Sequence, residues 1–262
     1  MPAAVAEATW FNVTVTVVFV HGNPEVAAIW DPLLAELGRD DVVTLSPPGF
    51  GAPVPAGFEA TADAYRDWLI AELEAFEQPV DLVGHDWGGA HVLRLAAARP
   101  DLIRSWCSDV AGLVDPEYVW HDLAQVWRTP GDGEAFVEAM NATPAEQREA
   151  LYVERGMTAG AAAACAAAAG AEMGRCILAV YRSADPEAMV EWGNELERAE
   201  RRPGLVVIAT ADEFTGGDVL AKRSAQRFGA QVGVIEGAGH WWMLEDPGAG
   251  AILLRNFFAG LG

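Results

Sequence analysis

The stretch VGHDWGG, residues 83–89, decides the predicted fold of this chain. It follows a strand-like run, residues 80–83, and precedes AHVLRLAAA, residues 90–98, whose apolar side chains have helical spacing. Gly84 and Gly88 stand two positions before and two positions after Asp86, and a sharp turn between a strand and a helix requires small residues there. The segment therefore predicts an elbow that presents Asp86 at the position where a serine commonly stands.

A carboxylate at this position points to a particular chemistry. When it attacks saturated carbon it forms an alkyl ester, which water must then cleave. That chemistry suits epoxides and alkyl halides better than peptides or simple esters. Because Asp is common in turns, the elbow needs support from the rest of the chain.

A loop upstream supplies a candidate oxyanion hole. The β-branched and aromatic run VTVVFV, residues 15–20, predicts a strand that ends at HGNP, residues 21–24. Gly22 permits an unusual backbone geometry, and the proline stiffens the turn. We expect the backbone N–H groups of Asn23 and Trp87 to face a developing oxyanion.

Two downstream segments supply a base and an acid. The strand-like run at 232–235 leads to His240, the candidate base, and the run at 205–208 leads to Asp212, the favoured acid. Asp109, which follows another strand-like run, is the alternative acid. Glu213 is a less favoured substitute, one residue out of register.

The order of nucleophile, acid and histidine is that of α/β-hydrolases. With these four separated motifs the sequence resembles the α/β-hydrolase family, in the branch of epoxide hydrolases and haloalkane dehalogenases that use an aspartate nucleophile. The resemblance implies an α/β fold: a mostly parallel central sheet with helices on both faces and an inserted helical lid. It also implies a triad of Asp86, His240 and Asp212 that needs no metal or organic cofactor.

The chain divides into three predicted parts. Strand and helix signals alternate over residues 1–112 and 203–262, which predicts the two parts of the core. Over 113–202 only helical periodicity remains, and in this family such an insertion is the lid. The alanine-rich segment 158–174 predicts one helix that is either tightly packed or a cavity wall. Only twenty residues precede His21, so we expect shortened or missing first strands.

Lid tyrosines distinguish the two activities of the branch. Epoxide opening needs a proton donor at the leaving alkoxide, and phenols are neutral donors at physiological pH. Tyr181, in ILAVYR, is similar to a lid tyrosine of epoxide hydrolases, and Tyr152 is the expected second donor, ahead of Tyr118. Most buried tyrosines only pack.

Epoxide hydrolysis to a vicinal diol is the favoured hypothesis. Dehalogenases hold the departing halide with an asparagine amide and an indole N–H, and Asn23 with Trp87 fits that alternative. A second alternative is a protein that binds a small ligand without turnover. The remaining histidines are expected to serve the structure: His21 and His85 as loop supports through backbone hydrogen bonds, and His91 and His121 as packing or surface residues.

Composition limits partners and compartment. The 17 Lys and Arg residues against 38 Asp and Glu give a net charge of −21, which argues against nucleic acid and anionic membrane surfaces as partners. Three cysteines without CxxC spacing, Cys107, Cys165 and Cys176, predict buried free thiols in a reducing compartment. Residues 1–9 lack signal-peptide features, and no apolar run reaches the length of a membrane span. We expect a cytoplasmic protein with a small apolar organic substrate.

Overall fold

The structure, a computed structural model, describes residues 15–261. Its centre is one sheet of six parallel strands in the order β2-β1-β3-β4-β5-β6. The strands are β1 Val17–Val20, β2 Val42–Leu45, β3 Val80–Gly84, β4 Ile103–Ser108, β5 Gly204–Ala209 and β6 Gln231–Ile235. The predicted α/β-hydrolase architecture is confirmed, and within the described part every strand pair is parallel. The sequence-based expectation about residues 1–9 lies outside it.

The strand order creates a crevice above the middle of the sheet. From β1 the chain moves to one edge, returns to β3 and then proceeds toward the other edge. Ligands of open α/β sheets bind at such a switch point, beyond the carboxyl ends of the strands. The register pairs Val20 with Gly84, so the loops that follow β1 and β3 start side by side.

Twelve α-helices surround the described sheet. They are α1 Asp31–Leu37, α2 Ala62–Leu73, α3 Trp87–Ala98, α4 Asp122–Arg128, α5 Asp132–Ala142, α6 Ala145–Glu154, α7 Ala159–Ala168, α8 Ala171–Ser183, α9 Pro186–Arg198, α10 Gly217–Phe228, α11 Trp242–Glu245 and α12 Pro247–Ala259. On one face α1 and α12 bury side chains such as Leu33 and Phe257 against β1. On the other, α2, α3 and α10 bury side chains such as Leu69 and Leu95. Helices α4 to α9 lie between β4 and β5 in the chain.

The predicted helix over 158–174 is wrong in one respect. The chain breaks after Ala168, and α7 and α8 meet at an angle of 92°. The two halves pack in different places: α7 lies against α6, and α8 lies against α4 and α5. Alanine-rich composition favours helix throughout, but these separate packing partners impose the bend.

Among the described residues, no single helix is long and apolar enough to cross a membrane, and one bent pair, α7 with α8, meets the length and composition requirement. The three cysteines are free and buried, as predicted.

Candidate active site

Asp86 stands at the turn between β3 and α3. Its φ of 50° and ψ of −127° are costly for a residue with a side chain. Glycines make this tight turn possible. A Cβ on Gly88 would lie 2.2 Å from the carbonyl oxygen of Val20, and one on Gly84 would lie 2.5 Å from that of Gly88. The turn therefore holds the Asp86 carboxylate beyond the end of β3.

The two carboxylate oxygens of Asp86 have different surroundings. Oδ1 accepts a hydrogen bond of 2.8 Å from the backbone N–H of Asn23. Oδ2 lies 3.9 Å from His240 Nε2, which is beyond hydrogen-bonding distance. Within residues 15–261 the N–H of Trp87, the second expected donor, makes no hydrogen bond to this carboxylate. One oxygen is thus held and the other faces the histidine.

His240 lies in the loop after β6 and pairs with Asp212 in the loop after β5. Its Nδ1 lies 2.9 Å from Asp212 Oδ2, while Asp212 Oδ1 accepts a 2.8 Å hydrogen bond from the N–H of Phe214. The carboxylate therefore orients the ring so that Nε2 points to Asp86. The structure brings Asp86, His240 and Asp212 together in the arrangement expected from the motifs.

The other two candidate acids lie elsewhere. Asp109 Oδ2 is 2.5 Å from His85 Nδ1, and Asp109 Oδ1 accepts the N–H of Asp86 at 3.1 Å. Its oxygens are thus directed at the elbow and not at His240. Glu213 is exposed. Of the three carboxylates considered from the sequence, Asp212 has the geometry of the orienting acid.

Burial and neighbouring charge separate the pKa values in this site. Burial raises the pKa of Asp86 to about 6, against the pull of nearby His240. Burial opposes the charged form of His240, but the hydrogen bond and charge of Asp212 outweigh it, so the pKa of His240 is raised. For Asp212, burial is outweighed by the hydrogen bond from His240, and its pKa is lowered. Asp212, which stays ionised, and Asp86, whose carboxylate is more basic, thus lie on opposite sides of His240.

A cavity of about 180 Å³ opens over Asp86 and His240. Its wall is largely apolar, with side chains from the helices between β4 and β5. They include Leu123, Trp127, Phe136, Met140, Leu151, Tyr152 and Tyr181. This volume is below the range of drug-sized ligand sites, so the cavity suits a small apolar molecule.

The three lid tyrosines differ in their place relative to the cavity and in their hydrogen bonds. Tyr181 and Tyr152 both line the cavity with Asp86, whereas Tyr118 donates to the carbonyl oxygen of Phe214 at 3.1 Å. Tyr152 makes one long contact, 3.5 Å from the carbonyl oxygen of Pro24. Burial and the charge of Asp86 raise the pKa of Tyr181 well above its ordinary value, so this phenol stays neutral and able to donate.

The remaining histidines match their expected roles only in part. His21 supports its loop through Gly22 O and Ser46 Oγ, and His91 is buried with its ring stacked on Tyr65. His121 was predicted to be a packing or surface residue, but it lines the cavity and its side chain caps the N-terminus of α4. His85 was expected to use backbone hydrogen bonds, but carboxylates hold its ring on both sides.

Glu25 is the site residue that sequence reasoning missed. It is fully buried, the Trp241 indole and the N–H of Gly22 donate to its carboxylate, and His85 Nε2 lies 3.0 Å from its Oε1. The available signal was one acidic residue in the otherwise apolar segment NPEVAAIW, residues 23–30, since buried charges need partners.

Among residues 15–261, one group of three side chains has the spacing of metal ligands: Glu25, His85 and His240. Both ring nitrogens of His85 already pair with carboxylates. This histidine therefore has no free lone pair for a metal, so the residues present do not fit a metal site.

Comparisons with known proteins agree with this architecture. A family model described as "Alpha/beta hydrolase family" matches residues 17–251. A haloalkane dehalogenase from Mesorhizobium japonicum is 33% identical over 140 residues, which are 47% of this chain and 42% of that protein. A pimeloyl-(acyl-carrier protein) methyl ester esterase from Neisseria meningitidis is 28% identical over 260 residues, 93% of each. The chain thus spans less than half of the length of this dehalogenase.

Solved structures share the fold over almost the whole chain. A loop variant of a haloalkane dehalogenase from Bradyrhizobium elkanii has a TM-score of 0.75 at 21% identity and covers 96% of this chain and 91% of that one. E-2-(acetamidomethylene)succinate hydrolase has a TM-score of 0.68 at 18% identity, with 94% and 91% covered. At these identities the likeness concerns the fold.

Proposed function

Because this chain belongs to the α/β-hydrolase family, we propose that it hydrolyses small apolar epoxides through an ester formed on Asp86. The observation that carries the proposal is the unequal placement of the two Asp86 oxygens. One is held by the N–H of Asn23, and the other faces His240 Nε2 across 3.9 Å. A carboxylate with one oxygen held and the other free is prepared to form an ester and then to lose it.

In the first half-reaction, Asp86 Oδ2 attacks an epoxide carbon and the ring C–O bond breaks. The oxygen that leaves takes the proton of a cavity phenol, for which Tyr181 is the first candidate and Tyr152 the second. Alkoxide is a poor leaving group, so a donor at this point lowers the barrier. The alkyl group is then bound to Oδ2, and Oδ1 is the ester carbonyl oxygen.

In the second half-reaction, His240 Nε2 removes a proton from water, which attacks the Cγ of Asp86. Negative charge develops on Oδ1, where the N–H of Asn23 already donates, and one such donor is worth about a hundredfold or more in rate. Asp212 stabilises the imidazolium that forms. Collapse breaks the bond between Cγ and Oδ2, and the diol leaves with Oδ2 and a proton from His240. The regenerated Asp86 carboxyl group then gives up its proton, and the phenolate left by the first half-reaction takes one up, so both groups return to their starting state.

A specific observation also favours haloalkanes as an alternative substrate class. The side-chain nitrogen of Asn23 is buried, lines the cavity and has no hydrogen-bond partner among the described residues. An unpaired amide N–H beside the nucleophile suits a departing halide, with the indole of Trp87 as the second donor. We place this second because Tyr181 and Tyr152 both line the same cavity, and halide departure needs neither phenol.

The proposal is tested with His240→Gln. This change removes the base of the second half-reaction and leaves Asp86 able to attack. We therefore expect a stable adduct with an epoxide substrate, seen by intact-protein mass spectrometry and located on the peptide that contains Asp86. A panel of epoxides and a panel of haloalkanes are offered side by side to find the substrate.

The matched control is His121→Gln, which alters a cavity histidine that the proposed cycle does not use, and no adduct should accumulate in it. Unmodified His240→Gln protein that still forms product would contradict the proposal. Halide release from haloalkanes, without diol formation from any epoxide, would instead support haloalkanes as the substrate class. Binding without turnover in the wild-type protein would favour a ligand-binding role.

A further inference from the structure

His85, the residue before the proposed nucleophile, is buried between two carboxylates. Its Nδ1 lies 2.5 Å from Asp109 Oδ2, and its Nε2 lies 3.0 Å from Glu25 Oε1. The ring and Glu25 are completely buried, and Asp109 is 6% exposed. The proposed cycle uses none of these three groups. Burying three ionisable side chains together costs several kcal/mol of desolvation per ion unless they satisfy one another.

The hydrogen bonds around Glu25 and Asp109 indicate which groups in this cluster are charged. For Glu25, Oε1 also accepts from Trp241 Nε1 at 2.5 Å, and Oε2 accepts from the N–H of Gly22 at 3.1 Å. For Asp109, Oδ2 also accepts from Trp242 Nε1 at 2.7 Å, and Oδ1 accepts from the N–H of Asp86 at 3.1 Å. All four oxygens thus accept from fixed N–H donors. Hydrogen bonds from such fixed donors stabilise a carboxylate over a carboxylic acid.

Two carboxylates facing the two ring nitrogens leave one charge state for His85. An ionised carboxylate only accepts, so each ring nitrogen must carry a proton, and the ring is an imidazolium. We propose that Glu25 and Asp109 are positioning residues that hold His85 as a buried cation, and that this cation opposes protonation of the neighbouring His240 and so leaves more of it able to accept a proton. The part of this inference that concerns catalysis by His240 rests on the proposed function. The part that concerns the charge of His85 is independent of it.

The cation acts on His240 by direct contact. The two imidazole rings lie 4.6 Å apart, centroid to centroid, so a positive His85 disfavours a second positive ring beside it. Asp212 and Asp86 act in the opposite direction and favour the imidazolium of His240. Without an opposing cation, His240 would hold its proton to higher pH, so a smaller fraction of it would be neutral and able to accept a proton at a given pH. The charged and titratable groups around the two rings are Glu25, Asp86, Asp109, Asp212, His21 and His121.

The pKa directions agree with this geometry. Burial alone would lower the pKa of His85, but the charges of Glu25 and Asp109 raise it well above its ordinary value. The pKa of Glu25 is lowered to about 2: its burial opposes ionisation, and the charge and hydrogen bond of His85 outweigh that burial. Burial and the charge of His85 both act to lower the pKa of His240, but the hydrogen bond and charge of Asp212 and the charge of Asp86 outweigh them, so this pKa is raised overall.

The inference is tested by histidine-selective ¹⁵N NMR titration of the wild-type protein and of Glu25→Gln. The chain has five histidines, so single His→Gln variants assign each signal. We expect both nitrogens of wild-type His85 to remain protonated through neutral pH. In Glu25→Gln, we expect His85 to lose its second proton at lower pH. Because the charge of Glu25 also acts directly on His240, the midpoint of His240 is followed in Asp109→Asn, where we expect it to move to higher pH. The matched control is Glu36→Gln, which removes one negative charge from the exposed face of α1 and should leave both histidines unchanged.

A kinetic readout accompanies the titration. In Asp109→Asn the rate of hydrolysis of the Asp86 ester should require higher pH, and each unit by which the His240 midpoint moves costs up to about tenfold in rate below the midpoint. Should Glu25→Gln fail to fold, the wild-type spectrum still decides the charge of His85, and Asp109→Asn tests the other side of the ring.

Wild-type His85 with one unprotonated nitrogen at neutral pH would overturn the inference. An unchanged His240 midpoint in Asp109→Asn, once His85 has lost its charge, would overturn it as well. The titration needs no substrate, so it gives its answer even if no ester forms on Asp86. A failure of the proposed function is therefore seen separately, as a missing adduct.

Discussion

At the scale of single residues, two aspartates illustrate how surroundings assign chemical roles. Asp212 has a lowered pKa because His240 donates to it, so it stays ionised as the partner of the base. Burial raises the pKa of Asp86 to about 6, which makes it a more basic carboxylate. The nucleophile must be ionised to attack, so the rate of ester formation should rise with pH through about 6.

Tyr181 decides between the two substrate classes. Tyr181→Phe removes one hydroxyl and keeps the ring that packs on Trp127, with centroids 4.7 Å apart. We expect diol formation from an epoxide to fall at least about tenfold, and up to the roughly 10²–10⁴-fold contribution of a general acid if Tyr152 does not compensate. The loss is measured as single-turnover ester formation.

The control is Tyr118→Phe, whose hydroxyl already donates to a carbonyl oxygen and should matter less to the reaction. A haloalkane substrate should be insensitive to Tyr181→Phe. If the double variant Tyr181→Phe with Tyr152→Phe still converts an epoxide at the wild-type rate, a phenol is not the proton donor.

At the scale of elements, one strand register assembles the site. Because Val20 pairs with Gly84, the loop after β1 and the elbow after β3 emerge together, and the N–H of Asn23 reaches the Asp86 carboxylate. Gly88 makes this contact possible, since it allows the first turn of α3 to approach the end of β1. The position of the proposed nucleophile therefore depends on helix packing as well as on the turn.

Gly88→Ala tests this dependence. The new methyl group would lie 2.2 Å from Val20 O and 2.7 Å from His21 O, and backbone atoms cannot move aside cheaply. We expect destabilisation of about 1–3 kcal/mol or more and, because misplacement by about 1 Å can cost 10²-fold in rate, a large loss of activity.

The matched control is Gly160→Ala in α7, where no atom lies within 4 Å of the new methyl group. That change should stabilise the protein by about 0.5–1 kcal/mol and leave activity unchanged. Both free energies are measured by urea unfolding. A Gly88→Ala protein with wild-type stability and activity would show that the close approach is not needed.

At the scale of the whole molecule, the proposed nucleophile costs stability. The pKa of Asp86 is raised from 3.8 to about 6 on folding, so the folded protein binds this proton more tightly than the unfolded chain. The free energy of unfolding therefore decreases as pH rises from about 4 to 6, and the loss persists above that range.

Asp86→Asn should remove this cost. We expect the variant to be more stable than wild type at pH 8, by about 1–3 kcal/mol, with the difference vanishing near pH 4. Urea unfolding at a series of pH values measures it. Asp40→Asn, at an exposed aspartate, should show no such pH-dependent gain. If Asp86→Asn and the wild type were equally stable at pH 8, hydrogen bonds and neighbouring charges would fully offset the cost of burying the ionised Asp86 carboxylate.

Much of the fold was predictable because its signals are local. The runs at 80–83, 205–208 and 232–235 were predicted as strands and form most of β3, β5 and β6, and the helical spacing over 90–98 falls within α3. The elbow was visible because a strained turn restricts its neighbours to small residues. Motif order along the chain then indicated Asp86, His240 and Asp212 as candidates.

The contacts between distant segments required the tertiary structure. The choice of Asp212 over Asp109 as the partner of His240 depends on which strand end lies beside the histidine, and local sequence does not contain that information. Glu25 lies 60 residues from His85 and 216 from Trp241, so its role arises only when the sheet register brings them together. The bend between α7 and α8 likewise follows from separate packing partners, since their alanine-rich sequence favours helix on both sides. Local sequence restricts backbone geometry over a few residues, whereas the charge state of a buried group depends on everything packed around it.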